Sequence, residues 1–545
     1  MTRNPRRAAV PWLVRLAACA VLTSCACACA RRPPAAPSVA RSDAATPAGA
    51  PVPDLDSARA AALASIAKAK GAPLPELARD VSVPSIERLV ADADAVRANV
   101  TNTERDLDFV RRSFTTARGY ADVLLGGEDP YDYARGAMVK AYRSEWDGTL
   151  QPYALYVPRA YDARRAWPLV VALHGAGSNH RHMLRRVFGL DNRPGENDEE
   201  ASRNELPFPD VPALVVAPFG RGEVMGWDGL GEEDVLRVLA DVRRAYKIDP
   251  RRISLTGLSM GGGGTWTIGL RHPELFAALA PVCGVTDVRK WIEPAERADF
   301  DLTLLEAASP RAFAENAARL RVFIFHGDAD PVVPVSDSRR MAERFKALGW
   351  LGKTVTYTEY AGVDHRAWVP AYAGAALLRT LAGVERDPKA PKSAPNPFPP
   401  GRATPGLFGK SLPRERPHLY VYGTHGAPEA VRAARALAEA LADWGPGVAA
   451  RFAVEADGDV TADEKSRLDL VLVGAAPLNA LAPAARTVAG AAAFRLVAKS
   501  PFARDRHILV MGAATPAGFD RLRRFAVHNQ DHWAPESNLD DVAIP

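Results

Sequence analysis

The stretch Arg252-Ile-Ser-Leu-Thr-Gly-Leu-Ser-Met-Gly-Gly-Gly-Gly-Thr-Trp266 limits what this chain can become more than any other. Ile253 to Leu255 read as a short buried strand, Gly257-Leu-Ser-Met-Gly261 as a tight turn, and Thr265 to Leu270 as part of the helix that follows. A Gly-x-Ser-x-Gly turn between a strand and a helix forces its serine into a strained backbone conformation, which only glycine neighbours allow without a clash. Ser259 is therefore expected to stand exposed above a sheet edge. The helix behind it would aim backbone N–H groups and a positive dipole end at any oxyanion formed there. The plainer alternative is a glycine-rich turn that merely opens a helix, and the rest of the chain has to separate the two.

The surrounding pattern names the scaffold. Gly136 to Tyr142 and Gln151 to Val157 read as two strands joined through Asp147-Gly148, a turn pair that favours a hairpin. Apolar or β-rich runs follow at Pro168 to Leu173, Ala213 to Ala217, Ile253 to Leu255, Ala277 to Val282, Val322 to Phe325 and Thr354 to Glu359. Helical periodicity fills several of the gaps, most clearly at Glu232 to Tyr246 and Ser336 to Leu348. Buried strands alternating with helices predict an α/β fold, a doubly wound and mostly parallel sheet with the leading hairpin as its antiparallel edge.

A serine hydroxyl is a weak nucleophile at neutral pH and needs a base that is itself held by a third group. In such a sheet the acid and the histidine follow the serine in chain order, each on a loop beyond a later strand. Val322-Phe-Ile-Phe-His-Gly-Asp-Ala-Asp-Pro331 runs a strand into a turn with two carboxylates, and Tyr360-Ala-Gly-Val-Asp-His365 follows one strand later. Asp330 would orient His365, and His365 would take the proton of Ser259. Asp328 competes for the acid role and Asp364 competes less well; taken alone, Asp330 before Pro331 is ordinary turn chemistry. Leu173-His-Gly-Ala-Gly177 ends an early strand, and its glycines let backbone approach a substrate closely. One N–H from Ala176 or Gly177 would pair with that of Met260 to bind an oxyanion, while His174 supports the loop through a hydrogen bond.

As a set, His174-Gly-Ala-Gly177, Gly257-Leu-Ser-Met-Gly261, His326-Gly-Asp-Ala-Asp330 with Val333-Pro334, and Val363-Asp-His365 resemble the α/β-hydrolase superfamily. Within it they are most similar to the bacterial esterase and prolyl-oligopeptidase-like group that includes polyhydroxybutyrate depolymerases and feruloyl esterases. The resemblance covers about residues 136 to 385 and implies a serine hydrolase with nucleophile Ser259, acid Asp330 and base His365. The tail from His418 onward is similar to a region that follows such domains in some bacterial peptidase-like chains.

With 545 residues the chain is too long for one ordinary core. Its opening residues carry Arg3, Arg6, Arg7 and Arg15, then the short apolar run Leu16 to Leu22, then Thr23-Ser24-Cys25. That run is too short to span a bilayer, so residues 1–25 read as an export signal. Leu22-Thr-Ser-Cys25 resembles a lipobox, which would acylate Cys25 and leave the chain in the cell envelope; Cys19 or plain secretion are the alternatives. Four of the five cysteines, Cys19, Cys25, Cys27 and Cys29, fall in the first 29 residues, which leaves Cys283 alone in the folded body and no disulfide to form there. Cys283 reads as a small core residue.

Residues 26–54 are a Pro/Ala-rich tether, 55–135 a helical prelude broken by Pro73, Pro75 and Pro84, 386–416 a Pro-rich linker, and 417–545 a second, smaller α/β domain. Strands are expected there at Leu419 to Tyr422, Leu468 to Val473 and His507 to Met511, with a helix at Pro428 to Ala442. The small formal net charge of +5, owed mostly to the leader, argues against nucleic acid as a partner. His180 and His182 lack a third ligand, so neither a metal nor a cofactor is expected. Trp227, Trp266 and Phe219 are either core or the lining of an acyl pocket.

The prelude has no room for the propeller that prolyl oligopeptidases set before their catalytic domain, which tilts the expectation towards small esters. Short peptides are the near rival substrate, and a non-catalytic binding scaffold is the distant one. Contact with a membrane is expected only through the lipid on Cys25.

Overall fold

The computed structural model describes residues 54–98, 103–144, 147–203, 207–223, 226–227, 230–287, 309–387, 418–443, 452–482, 493–504, 507–513, 515–530 and 542–544. The expected export signal with Cys25, the expected tether up to residue 53, and residues 388–416 of the expected Pro-rich linker fall outside them.

The hairpin forms where the turn signal sits. β1 (Gly136–Arg143) pairs antiparallel with β2 (Leu150–Val157), from Gly136 opposite Val157 to Arg143 opposite Leu150. Gly148 takes φ 66°, a conformation glycine adopts freely, and Asp147 accepts the Thr149 N–H across the turn. Six more strands follow: β3 (Trp167–Leu173), β4 (Leu214–Pro218), β5 (Ile248–Leu258), β6 (Ala278–Val282), β7 (Arg321–Gly327) and β8 (Val355–Tyr360). Their spatial order is β1-β2-β4-β3-β5-β6-β7-β8, parallel from β4 to β8 and antiparallel only where the hairpin joins.

Every residue of β3, β4 and β6 is buried. Both faces of these central strands are covered, which is why they read as unbroken apolar runs without alternation. The helices α4 (His180–Val187), α5 (Leu230–Ala245), α6 (Met260–Arg271), α7 (Ser336–Ala347) and α8 (Trp368–Tyr372) lie in the crossovers between strands or follow the last one. β5 is longer than the three-residue run read from the sequence, because Ile248 onward already pairs with Trp167 of β3.

Ahead of the sheet come α1 (Leu55–Gly71), α2 (Val83–Arg97) and α3 (Glu104–Leu125). Asp54 caps α1, and Thr103 with Asp106 closes a capping box on α3. Pro84 does not break the helical run as expected. A wide turn at Ala78–Ser82, in which the Val83 N–H reaches back to the Ala78 carbonyl, leads directly into α2 and shifts the hydrogen-bond register just before Pro84.

The tail forms its own sheet. The expected strands appear as β9 (His418–Tyr422), β11 (Asp469–Val473) and β13 (His507–Ala513), and the expected helix as α9 (Pro428–Ala442). Between and after them β10 (Val454–Ala456), β12 (Ala493–Lys499) and β14 (Val542–Ile544) complete the order β10-β9-β11-β13-β12-β14. β12 runs antiparallel to both of its neighbours, so this sheet is mixed.

Helix α6 sits hard against the large sheet, and the glycines at its start set the distance. A Cβ on Gly262 would meet the Val282 carbonyl oxygen at 2.4 Å and the Gly284 Cα at 2.8 Å, backbone atoms that cannot swing aside, whereas one on Gly263 would meet nothing closer than 3.7 Å. Gly262→Ala is therefore expected to cost on the order of 3 kcal/mol. Gly263→Ala should change stability by no more than about 1 kcal/mol, in the stabilising direction if helix propensity decides. Denaturant unfolding of the two variants tests the pair, and equal losses would contradict this packing.

Candidate active site

Three strand ends deliver the side chains. β5 stops at Leu258, α6 begins at Met260, and Ser259 between them takes φ 55° and ψ −117°. A side chain rarely occupies that region, and the turn holds only because both flanking glycines lack a Cβ. One on Gly257 would meet the Gly261 carbonyl oxygen at 2.3 Å, and one on Gly261 would meet the Leu173 carbonyl oxygen at 2.1 Å. The Ser259 N–H is fixed to the Val282 carbonyl (2.9 Å), which leaves its side chain partly exposed at the carboxyl end of the parallel strands.

Asp330 lies just past β7 and His365 just past β8. Their loops touch: the Ala329 N–H donates to the Val363 carbonyl (3.1 Å), and a Cβ on Gly327 would meet that same oxygen at 2.1 Å. The structure brings the three residues together in series, with His365 Nε2 2.8 Å from Ser259 Oγ and His365 Nδ1 2.7 Å from Asp330 Oδ2. The Asp330 side chain is fully buried, and that of His365 is 17% exposed. Burial alone would raise the Asp330 carboxyl, but hydrogen bonds from His326 and His365 and from the Val332 N–H outweigh it and hold the group well below the usual carboxylate range. The other Asp330 oxygen accepts the Val332 and Val333 N–H groups at 2.8 and 2.9 Å. The carboxylate is thus oriented from both sides.

The competing acids have other partners. Asp328 is exposed and accepts the Gly362 N–H at 2.7 Å, stitching together the loops that carry Asp330 and His365. Asp364 accepts the Arg366 N–H (2.9 Å) and pairs with its guanidinium.

Opposite the serine, the loop after β3 approaches so closely that a Cβ on Gly175 would sit 2.8 Å from Leu258 Cδ1 and 3.4 Å from Ser259 Cβ. Of the two amides expected to assist Met260, that of Gly177 is already spent on the Glu223 carbonyl (2.9 Å). Gly177 is therefore removed from the oxyanion set, and Ala176 remains. His174 is buried between the Gly175 and Phe219 carbonyls, at 2.9 and 3.0 Å from its ring nitrogens, in the supporting position expected of it.

The aromatic candidates divide. Trp227 and Trp266 are core, 2% and 0% exposed, and the Trp227 indole N–H donates to the His174 carbonyl at 3.0 Å. Trp368, which had no sequence signal of its own, sets its ring edge-on to His365 at 5.4 Å.

Cys283 is the small core residue expected of it, buried just past β6 with φ 42° and with its Sγ 3.4 Å from the His365 carbonyl. Cys283, Asp330 and His365 place ligand-type atoms within 4.8 Å of one another. They fit a metal poorly, because the histidine and carboxylate already bind each other and burial drives the thiol towards its protonated form. His182 contacts Ser178 Oγ (2.9 Å) and lies 3.3 Å from Asp198, while buried His180 packs edge-on against Phe219. A proton acceptor aligned on a hydroxyl at the N-terminus of α6, and backed by a buried carboxylate, can do acyl transfer.

Residues 227–383 match the prolyl oligopeptidase family. The chain is 24% identical to the probable feruloyl esterase C of Aspergillus niger over 196 residues, which is 35% of this chain and 60% of that protein. It is 25% identical to the poly(3-hydroxyalkanoate) depolymerase C of Paucimonas lemoignei over 166 residues, 28% of this chain and 39% of the other. The chain therefore spans less than two thirds of either relative. Among solved structures, a thermostable esterase superposes with a TM-score of 0.33 at 28% identity, covering 46% of this chain and 63% of that one.

Two measurements probe this geometry. Asp330→Asn should lower kcat/KM about 10³- to 10⁴-fold, whereas Asp328→Asn should stay within a few-fold of wild type; a reversed ranking would make Asp328 the acid. A carboxyl lowered by folding contributes stability above its unfolded value, about 4, and that contribution disappears as pH falls. The melting temperature of wild type minus that of Asp330→Asn should accordingly shrink on acidification from about pH 6 to about pH 3. A difference that stays constant or grows would contradict the lowered carboxyl.

Proposed function

We propose that this protein, a serine hydrolase of the α/β-hydrolase superfamily with esterase-like and prolyl-oligopeptidase-like relatives, cleaves carboxylic esters through an acyl-enzyme. The observation that carries the reading is the unbroken series Ser259 Oγ, His365 Nε2, His365 Nδ1, Asp330 Oδ2, with contacts of 2.8 and 2.7 Å. Ser259 attacks the ester carbonyl while His365 Nε2 removes the hydroxyl proton. Asp330 keeps the opposite ring nitrogen in its N–H form and stabilises the imidazolium that results. Negative charge on the carbonyl oxygen is met by the backbone N–H groups of Met260 and Ala176. Collapse of the tetrahedral intermediate expels the alcohol, which takes its proton from His365. Water activated by the same imidazole then releases the acid and restores Ser259.

Esters are favoured over peptides by the names of two relatives, a feruloyl esterase and a polyhydroxyalkanoate depolymerase. Hydrolysis of short peptides is the second reading, and the match of residues 227–383 to the prolyl oligopeptidase family supports it. Purified protein assayed on 4-nitrophenyl esters of graded chain length, aryl esters and aminoacyl-4-nitroanilides decides between them. The expected result is ester turnover at least about 10²-fold above anilide turnover in kcat/KM, abolished by Ser259→Ala; anilide turnover alone would reverse the choice.

The Arg-rich start, the short apolar run and Leu22-Thr-Ser-Cys25 support export and attachment to the cell envelope through an acylated Cys25. Mass spectrometry of the mature N-terminus is expected to find Cys25 first and lipid-modified, and an unmodified start at another residue would remove the anchor.

A further inference from the structure

Asp330 serves two imidazoles. His365 Nδ1 approaches its Oδ2 at 2.7 Å, and His326 Nε2 approaches the same oxygen at 3.2 Å. His326 ends β7, fully buried, four residues before the carboxylate it faces. Its Nε2 also lies 2.9 Å from the Val333 carbonyl, and its Nδ1 lies 2.7 Å from Ser338 Oγ on α7. One protonation pattern satisfies all of these contacts with a neutral ring. A proton on Nε2 is donated to the Val333 carbonyl and lies beside the Asp330 carboxylate, whose Oδ2 is 3.2 Å from the nitrogen, and a lone pair on Nδ1 accepts the Ser338 hydroxyl. Glu359, opposite His326 on β8, is engaged by Arg339 at 2.6 Å, so the carboxylate left for His326 is that of Asp330.

We infer that His326 is a positioning residue: its Nε2–H, fixed by Ser338, pins Asp330 Oδ2 and withdraws electron density from the oxygen that holds His365. The inference rests on the hydrolase reading above and adds a fourth side chain to it. Two consequences follow from the geometry. Without the donor, Oδ2 loses one of the contacts that fix its direction, and the imidazole it orients loses alignment on Ser259. The same oxygen, relieved of one donor, becomes a stronger acceptor for the Nδ1–H of His365 and holds the protonated ring more tightly. A residue that merely filled space would produce neither effect together with the rescue described next.

His326→Asn and His326→Gln separate these roles, because an Asn amide reaches the Nδ1 position facing Ser338 whereas a Gln amide can place an N–H near Nε2. The pH dependence of kcat/KM on 4-nitrophenyl acetate is measured for wild type and both variants. In His326→Asn the plateau is expected to fall about ten- to hundredfold, with the acid limb displaced to higher pH by about half a unit or more. His326→Gln should recover most of the plateau and return the limb towards wild type. A His326→Asn profile that superimposes on wild type, or a loss equal in both variants with an unmoved limb, overturns the inference.

If His326→Asn does not fold, ¹⁵N–¹H correlation of the ring nitrogens in the wild-type chain, assigned with His326→Gln, still decides. A proton on Nε2 supports the proposal and a proton on Nδ1 overturns it. Labelling of wild type by a fluorophosphonate isolates the premise: failure to modify Ser259 removes the hydrolase reading itself, whereas labelling with unmoved profiles removes only the role of His326.

Discussion

A serine held at φ 55° between a strand and a helix is the constraint on which the site depends. The conformation is costly for any residue with a side chain, and it persists because the surrounding backbone has nowhere else to go. Gly257 and Gly261 touch across the turn, Gly261 touches the end of β3, and Gly262 touches the end of β6. Three neighbouring strands are thereby locked to the start of one helix. The hydroxyl is presented at the carboxyl edge of the parallel sheet, where the loops after β7 and β8 also end. Fold and site share this origin, since the close packing that makes the sheet stable also fixes where the nucleophile points.

The second constraint is the contact between those two loops. Gly327 leaves no room for a side chain beneath the Val363 carbonyl, and Asp328 bonds across to Gly362. The loops therefore behave as one piece, with Asp330 and His365 held at a fixed separation. Asp330 is ringed by donors, two backbone N–H groups on one oxygen and two imidazoles facing the other. Such an environment keeps a buried carboxylate ionised.

Much of this was legible in the sequence, for identifiable reasons. Turn chemistry located the hairpin at Asp147-Gly148 and the sharp bend at Ser259, because glycine marks backbone that other residues cannot adopt. Buried strands show as apolar runs, and their alternation with helices implies a parallel sheet. The order of serine, acid and histidine then told which strand ends to inspect. What stayed hidden depended on contacts between distant segments. Nothing local in Gly177 reveals that its amide is spent on Glu223, and nothing near His326 reveals that its ring faces Asp330. Pro84 was misread because a single wide helical turn can absorb a proline that the periodicity treats as a break. The tail was half seen, since β10, β12 and β14 are short or lie at the antiparallel edge, where the apolar signal is weak.

The central claim is chemical: the hydroxyl of Ser259 carries the acyl group between substrate and water. Rapid acid quench of the protein during turnover of an aryl ester, followed by peptide mass spectrometry, reads that step directly. The acyl mass is expected on the peptide containing Ser259, and it should vanish in Ser259→Ala together with turnover. An acyl group on another residue, or turnover that persists without the Ser259 hydroxyl, would contradict the account.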